Sequence, residues 1–176
     1  MNEYIKSDLY RYYGDASFKT FLLAYFMNKT FRFQVALRLW QTKGFWGFVG
    51  KFLYKINRNE NLQIPPNTKI GYGLYIGHNG PVVIHHTTVI GNNCNLSQFT
   101  TIGSNKGMAA VIGDNVYVGP NVCIIENVKI GNNVTIGAGS VVTKDIPDNA
   151  TAVGNYAKCI SFDNPARFIN NMWNKN

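Results

Sequence analysis

The chain has 176 residues, of which 45% are hydrophobic and 15% charged, and its formal net charge is +8 at pH 7. This is long enough for one domain with a substantial core, and the apolar content is ordinary for a soluble protein. The three cysteines, Cys94, Cys123 and Cys159, form neither an even set nor a CxxC pair, so we expect buried, reduced thiols and no disulfide framework.

The positive charge is concentrated in the N-terminal third. Residues 1–58 hold ten Lys or Arg, three Asp or Glu and sixteen of the 24 aromatic residues, whereas residues 59–176 are nearly neutral. Acidic Glu3 and Asp8 stand where a signal peptide would be basic, so no signal peptide is expected. The longest apolar run, near residues 21–27, is far too short to span a bilayer.

Residues 1–60 are predicted to form a basic, aromatic and helical region. Apolar residues recur at helical spacing in two or three segments with a break after Asn28: Phe21, Leu22, Tyr25 and Phe26; Phe33, Val35, Ala36 and Leu39; and Phe45, Phe48, Val49, Phe52 and Leu53. Two interpretations stay open. The apolar faces pack on the same domain or a sister chain, or they rest on an anionic membrane. Nucleic acid is not expected as a partner, because the basic residues are spread through apolar helices.

A six-residue repeat begins at Ile64. Aliphatic residues recur every six positions in three blocks: Ile64, Ile70 and Ile76; Ile84, Ile90, Leu96 and Ile102; and Ile112, Val118, Ile124, Ile130, Ile136 and Val142. A short strand plus a turn makes one side of a triangular coil, whose inward aliphatic side chains stack on those of the next coil. The repeat therefore predicts an all-β solenoid over residues 61–160, followed by a C-terminal tail over 161–176 with room for a short helix.

Corners and loops can also be placed along the repeat. Gly and Asn tolerate tight turns best, so GNN at 91–93 and 131–133 and GDN at 113–115 are predicted corners. The spacing lengthens by two residues between the first and second blocks and by four between the second and third. Inward positions must stay in register, so HNGP (78–81) and SNKGMAA (104–110) are predicted to loop out. Loops on a rigid scaffold are the usual place for catalytic groups.

The hexapeptide pattern resembles the left-handed parallel β-helix acyltransferases. Five stretches resemble the serine acetyltransferase branch, and most closely the polysaccharide O-acetyltransferases of the colanic-acid type: IGHNGPVVI (76–84), LSQFTTIG (96–103), VIGDNVYVGPNV (111–122), KIGNNVTIGAGSVVTKDIPDNA (129–150) and VGNYAK (153–158). The resemblance implies a left-handed β-helix with N-terminal helices, a homotrimer, acetyl-CoA as cosubstrate and no metal. It also implies a cytoplasmic enzyme, which residues 1–58 could hold at the inner membrane face.

The resemblance also implies roles for individual residues. The histidine at the position of His78 is the general base in those enzymes, taking the proton of the acceptor hydroxyl as it attacks the thioester of acetyl-CoA. An imidazole can accept and return a proton near neutral pH. What orients this base is open: it is Asn79, Gln98 or a backbone carbonyl. Asn79, Gln98 and His86 are also candidate contacts of the acceptor. The alternatives are a structural turn residue for His78 and a plain surface residue for His86.

The donor site implied by position is a groove between subunits. It is lined by Gly119, Pro120, Gly137 and Ala138, with Lys144 and Lys158 near the CoA phosphates or, alternatively, as solvated surface charges. A zinc site built from the three histidines is not expected, because His85 and His86 as neighbours on a strand would point to opposite faces.

The chain departs from the serine enzymes at three positions. Gly77 stands where they have an Asp before the histidine, Gln63 where they have another Asp, and Ala109 where they have a second His. The ammonium and carboxylate of serine need charged partners. These departures therefore favour a sugar hydroxyl of a surface-polysaccharide precursor as acceptor. The alternatives are a serine or other small-molecule acetyltransferase and a non-enzymatic β-helix scaffold.

Overall fold

The structure is a computed structural model that describes residues 1–57, 61–105 and 107–174. Its N-terminal region contains four helices: α1 (Glu3–Tyr13), α2 (Phe18–Met27), α3 (Lys29–Trp40) and α4 (Gly44–Asn57). The sequence indicated two or three helices, whereas the structure has four. Helix α1 is the one that the hydrophobic spacing did not indicate. The expected break after Asn28 is confirmed, since this residue ends α2 and its side chain caps α3 by accepting from the amide of Phe31 at 3.0 Å.

Short strands follow in a repeating order and build three sheets. The strands are β1 (Leu62–Gln63), β2 (Lys69–Ile70), β3 (Tyr75–Ile76), β4 (Val82–Ile84), β5 (Val89–Ile90), β6 (Asn95–Leu96), β7 (Thr100–Gly103), β8 (Val111–Ile112), β9 (Tyr117–Val118), β10 (Cys123–Ile125), β11 (Lys129–Ile130), β12 (Thr135–Ile136), β13 (Val141–Val142), β14 (Thr151–Val153) and β15 (Lys158–Ser161). Sheet A has the order β1-β4-β7-β10-β13, sheet B the order β2-β5-β8-β11, and sheet C the order β3-β6-β9-β12-β14-β15. The strands pair in parallel except for β14 with β15, so the chain winds as a triangular coil.

The strand register confirms the repeat and both of its interruptions. Leu62 pairs with Val82, a coil of 20 residues, and Val82 pairs with Thr100, a regular coil of 18. Thr101 pairs with Cys123, a coil of 22 residues. The two longer coils carry the two and four extra residues at the predicted positions. All thirteen aliphatic residues of the repeat are buried, none with more than 8% of its surface exposed.

The predicted corners are confirmed by backbone conformation. Asn93, Asn115 and Asn133, the last residues of the GNN and GDN segments, have φ of 53°, 57° and 57°. The side chains of Asn115 and Asn133 form part of a ladder along one corner. Asn115 Nδ2 donates to Asn133 Oδ1 at 2.9 Å, and Asn133 Nδ2 donates to Asn149 Oδ1 at 2.9 Å. The asparagines therefore supply both the left-handed conformation and a hydrogen bond between coils.

Polar side chains of α1 and α3 cover the edge of the first coil, where β2 and β3 end their sheets. Arg38 donates to the carbonyls of Ile70 (2.9 Å) and Gly71 (2.7 Å), and it pairs with Asp8. Asp8 also accepts from the amide of Leu74 at 2.8 Å. An uncovered edge strand would be free to pair with another chain. Arg38 is thus a buried structural residue. Its charge does not contribute to the basic surface expected for residues 1–58.

The helices and the β-helix share one apolar core. Phe33 and Leu37 of α3 and Tyr54 of α4 pack in the same cluster as the inward aliphatic residues of the coils. The α4 backbone approaches α3 closely, because a Cβ added at Gly50 would lie 2.1 Å from the Trp40 nitrogen. We therefore expect the helices and the first coil to unfold together.

The C-terminal tail lies across sheet C. Residues 162–174 contain turns and extended chain and no helix, although the sequence left room for a short one in the tail. Asn95 Nδ2 donates to the Phe168 carbonyl at 3.0 Å, and the Phe168 ring packs against Tyr117 at a centroid distance of 5.0 Å. The Trp173 amide donates to Asn93 Oδ1 at 2.8 Å, which fastens the end of the tail to a corner.

The cysteines differ in burial, which corrects the expectation that all three thiols are buried. Cys94 lies in the core, Cys123 is half-buried, and Cys159 is exposed on β15. Desolvation by burial raises the pKa of the Cys94 thiol to about 12, so this thiol stays protonated and unreactive.

Iodoacetamide near neutral pH should therefore alkylate Cys159 in the native protein and leave Cys94 unmodified until denaturant is added. Mass spectrometry of the peptides after short and long incubations measures both rates, with the denatured protein as the control for intrinsic reactivity. Equal labelling of Cys94 and Cys159 in the folded protein would contradict the burial described here.

Candidate active site

The first loop leaves the coil at the corner between sheets C and A. The Gly77 amide still donates to the Leu96 carbonyl at 2.9 Å, and β4 begins at Val82, so residues 78–81 form the excursion. His78 and Asn79 have φ of 62° and 47°. Two consecutive non-glycine residues in the left-handed region are uncommon and concentrate at functional sites. The His78 side chain is exposed and makes no hydrogen bond to another described residue, so its nitrogens are accessible.

The helical region fixes this loop through one side-chain contact. The Thr30 hydroxyl of α3 donates to Asn79 Oδ1, and Thr30 is only 2% exposed. Asn79 was predicted to orient the base or to contact the acceptor. Its amide oxygen accepts from Thr30 and so holds the loop, with the backbone of His78, against α3. Its role toward the base or the acceptor stays a prediction.

Replacing Thr30 by Val should keep the shape of the side chain and remove this anchor. We expect the free energy of unfolding to fall by about 0.5–1.5 kcal/mol. With His78 as the predicted general base, kcat should fall as well, because His78 loses its fixed position. Urea unfolding and steady-state kinetics measure the two effects. Thr20→Val is the matched control, since the Thr20 hydroxyl bonds to Asp15 away from the loop. An unchanged kcat in Thr30→Val would show that the anchor does not act on His78.

Gln98 lies beside the loop, one coil further along. Gly80 packs directly on it, because a Cβ added at Gly80 would lie 2.3 Å from the Gln98 Cβ. Gln98 Oε1 is buried and has no hydrogen-bond partner among the described residues. A buried acceptor without a donor is costly, so this oxygen is suited to receive an N–H or O–H group of a ligand. The geometry is compatible with the predicted role of Gln98, and that role stays a prediction.

The predicted donor-site residues lie on the same corner, above Gln98. The Asn121 amide donates to the Gln98 carbonyl at 3.1 Å, and the Gly139 amide donates to the Pro120 carbonyl at 2.8 Å. Gly119 lies directly beneath Gly137 and Ala138, since a Cβ added at Gly119 would be 2.9 Å from the Ala138 nitrogen. His78, Gln98, Pro120 and Ala138 therefore form a column, one residue per coil, which we call the site column.

The two predicted lysines lie away from the site column within this chain. Lys144 is exposed and follows β13, at the corner between sheets A and B. Lys158 is exposed on β15, opposite Val153 of β14. Contact with a ligand on the column would require a long reach or a second copy of the chain, and their role toward CoA stays a prediction.

The other histidines lie at the far end of β4. His85 Nδ1 is 2.9 Å from the Thr87 hydroxyl, which contacts the Gly107 carbonyl at 3.1 Å and accepts from the Ala109 amide at 2.9 Å. This network fastens the second loop, of which Lys106 lies outside the described residues. His86 is exposed, and its ring lies 4.4 Å from that of His85. The two rings do not point to opposite faces of a strand as expected, because β4 ends at Ile84.

Charged groups that could orient the base are absent at the positions considered from the sequence. Gly77 is buried without a side chain, Gln63 is exposed on β1, and Ala109 is fully buried. Within residues 1–57, 61–105 and 107–174, His, Cys, Asp and Glu side chains form no group of three that could hold a metal ion.

Comparison with known proteins identifies the family. A model of the bacterial transferase hexapeptide (six repeats) matches residues 109–144. Serine acetyltransferase from Helicobacter pylori is 36% identical over 121 residues, which cover 66% of this chain and 71% of that protein. Mitochondrial serine acetyltransferase 3 from Arabidopsis thaliana is 42% identical over 105 residues, covering 57% of this chain and 27% of that protein. This chain therefore spans only part of the length of its relatives.

A solved structure of a serine acetyltransferase also matches this chain. The serine acetyltransferase of Neisseria gonorrhoeae, crystallised in complex with serine, superposes with a TM-score of 0.73 at 31% identity, covering 88% of this chain and 67% of that one. The match confirms the left-handed parallel β-helix, whereas these comparisons do not support the expected closer relation to the colanic-acid-type enzymes. The chain belongs to the serine acetyltransferase family of hexapeptide-repeat acyltransferases.

Proposed function

We propose that this protein is an acetyl-CoA-dependent O-acetyltransferase that acts on serine, with His78 as its general base. Family membership supports the reaction class and the acceptor. The observation that carries the assignment of the base is the place of His78. It is an exposed imidazole on a looped-out corner, at the foot of the site column.

In the proposed reaction, the His78 imidazole removes the proton of the acceptor hydroxyl as the hydroxyl oxygen attacks the thioester carbonyl. A C–O bond forms, the C–S bond breaks, and the imidazolium returns its proton to the leaving thiolate of CoA. His78 accepts the proton and gives it back within one turnover, a role that suits a histidine. The column of Pro120 and Ala138 along the same corner gives the donor a path toward the base.

We also propose that three copies form the active unit. In one chain the first loop leads into β4 and the second loop follows β7, so the two loops lie at opposite edges of sheet A. A groove lined by both loops therefore requires a second copy. Exposed apolar side chains flank these loops, including Phe99 (53% exposed) and Met108 (52%). Phe99 also has a φ of 61°, which is costly for a bulky residue and could be offset by burial against another subunit. Analytical ultracentrifugation should give three times the chain mass of 19.7 kDa, and a fully active monomer would overturn the proposal.

A sugar hydroxyl is the second candidate acceptor. It is favoured by Gly77 and Gln63, which replace the acidic groups expected to bind the ammonium of serine. The unpaired oxygen of Gln98 is neutral and suits a hydroxyl donor as well as an ammonium. A site without carboxylates binds an ammonium weakly, so a high KM for serine would accompany this alternative.

Thiol release from acetyl-CoA with a panel of acceptors separates these candidates. The panel contains L-serine, simple sugars and a lipid-linked oligosaccharide extract. Turnover of L-serine with product O-acetylserine supports the main proposal, whereas acetylation of a sugar alone supports the second. If the folded protein neither binds CoA nor cleaves acetyl-CoA with any acceptor, the enzyme proposal fails and a scaffold is left.

A further inference from the structure

Helices α2 and α4 expose an unusual number of large apolar side chains. On α4 the residues Phe45, Phe48, Phe52 and Ile56 recur every three or four positions and are between 62% and 74% exposed. They form one face of the helix. The opposite face, with Gly50 and Tyr54, is buried against α3.

Helix α2 also has one buried apolar face and one exposed apolar face. The sequence placed Phe21, Leu22, Tyr25 and Phe26 on one apolar face. In the structure Phe21 and Tyr25 pack against the cluster formed by α1, α2 and α3, whereas Phe26 is 68% exposed. With Phe18, Leu22, Leu23 and Met27, it forms a second apolar surface, with exposures from 41% to 82%.

A groove lies between α2 and α4. Phe18 of α2 and Trp46 of α4 line the same apolar groove of about 480 Å³, with Lys43 at its edge. We call the exposed apolar residues of α2 and α4, together with this groove, the aromatic face. Many exposed large apolar residues on two neighbouring helices are typical of an interaction surface, since single exposed apolar residues are normal but clusters are not.

The charge around the aromatic face is mostly positive, with the exposed carboxylate of Asp15 beside the start of α2 as an exception. Residues 18–57 contain seven Lys or Arg and no Asp or Glu. Arg38 is neutralised by Asp8 in the interior, but Lys19, Lys43, Lys51 and Lys55 are exposed on α2 and α4 or between α3 and α4. A second copy docking on this face would bring the same positive charge to it, whereas an anionic surface would complement it.

We propose that the aromatic face docks the protein on an anionic lipid bilayer. The aromatic and aliphatic side chains enter the boundary between headgroups and acyl chains, and the lysines contact the lipid phosphates, as in amphipathic helices that lie in the membrane plane. The contact is peripheral. No helix within the described ranges has the length and apolarity to cross a bilayer.

Vesicle flotation with the full chain tests this proposal. We expect co-flotation with vesicles of phosphatidylglycerol and phosphatidylcholine at low salt, and at least tenfold weaker binding to phosphatidylcholine alone or at high salt. Phe48→Ser with Phe52→Ser should reduce binding to the anionic vesicles at least tenfold. Because both side chains are exposed, this variant should keep the circular dichroism spectrum and the Tm of the parent protein.

Charge variants provide the matched control. Lys51→Gln with Lys55→Gln should weaken binding to the anionic vesicles, whereas Lys69→Gln with Lys129→Gln, two exposed lysines on sheet B, should not. Equal losses for the two pairs would indicate attraction by net charge and would overturn the proposal. So would absence of flotation at low salt, or an assembly larger than a trimer that Phe48→Ser with Phe52→Ser dissociates, since the face would then bind a second copy.

Discussion

Replacing His78 by Asn is expected to reduce the rate of acetyl transfer by about 10²–10⁴-fold while the protein stays folded. Asn cannot serve as a general base, but it tolerates the left-handed conformation that His78 adopts at φ 62°. The side chain is exposed, so no core contact is lost. The variant therefore separates the chemistry of the imidazole from the geometry of the turn. Thiol release from acetyl-CoA measures the rate, and thermal unfolding measures the fold.

Two further measurements complete this test. Lys129→Ala, an exposed substitution on sheet B, should keep the parent rate and Tm. Binding of CoA to His78→Asn should be close to that of the parent protein, because the proposed donor residues lie higher on the site column. A rate for His78→Asn near that of the parent would make His78 a structural turn residue, and the base would have to be sought elsewhere.

The solenoid and its two loops could be predicted from the sequence because both are local properties. A six-residue period places Ile64 through Val142 on the inside, and the two longer intervals can be accommodated only by looping out. The same reasoning located His78 at a break in the repeat. Its neighbour Gln98 could be placed one coil away by counting, since coil length follows directly from the period.

Features that depend on contacts between distant segments could not be predicted in this way. Helix α1 was missed because Asp8 and Arg11 resemble a solvated surface in the sequence, although both are buried against the first coil. Thr30 gave no sign of holding Asn79, which lies 49 residues further along the chain.

Replacing Arg38 by Leu is expected to lower the free energy of unfolding by about 3–5 kcal/mol. Arg38 bonds to Asp8 through Nε at 2.8 Å and Nη2 at 2.9 Å, and both side chains are at most 2% exposed. The substitution leaves the Asp8 carboxylate buried without its partner and removes the donors to the Ile70 and Gly71 carbonyls. Because these carbonyls belong to the first coil, the contact between the helices and the β-helix should weaken as well. Urea unfolding followed by circular dichroism gives the difference.

The pH dependence of this variant follows from the Asp8 carboxyl. Burial raises the pKa of Asp8 above its usual range, and the charge of Arg38 opposes that shift. Without Arg38 the pKa of Asp8 in the folded protein should rise further. A raised folded-state pKa means that stability is present below the unfolded-state pKa and is lost as pH rises through the folded-state pKa. Arg38→Leu should therefore be least destabilising in acid, and its deficit relative to the parent should grow toward neutral pH.

Two companion variants test the physical cause. Arg32→Leu, on the same helix but only half-buried, should change the free energy of unfolding by about 0.5 kcal/mol or less. Asp8→Leu combined with Arg38→Leu should recover part of the loss, because removing both charges leaves no unpaired ion in the core. If Arg38→Leu is no worse than Arg32→Leu, the buried pair does not hold the helices on the first coil. The Thr30 contact with Asn79 would then be a stronger candidate for that attachment.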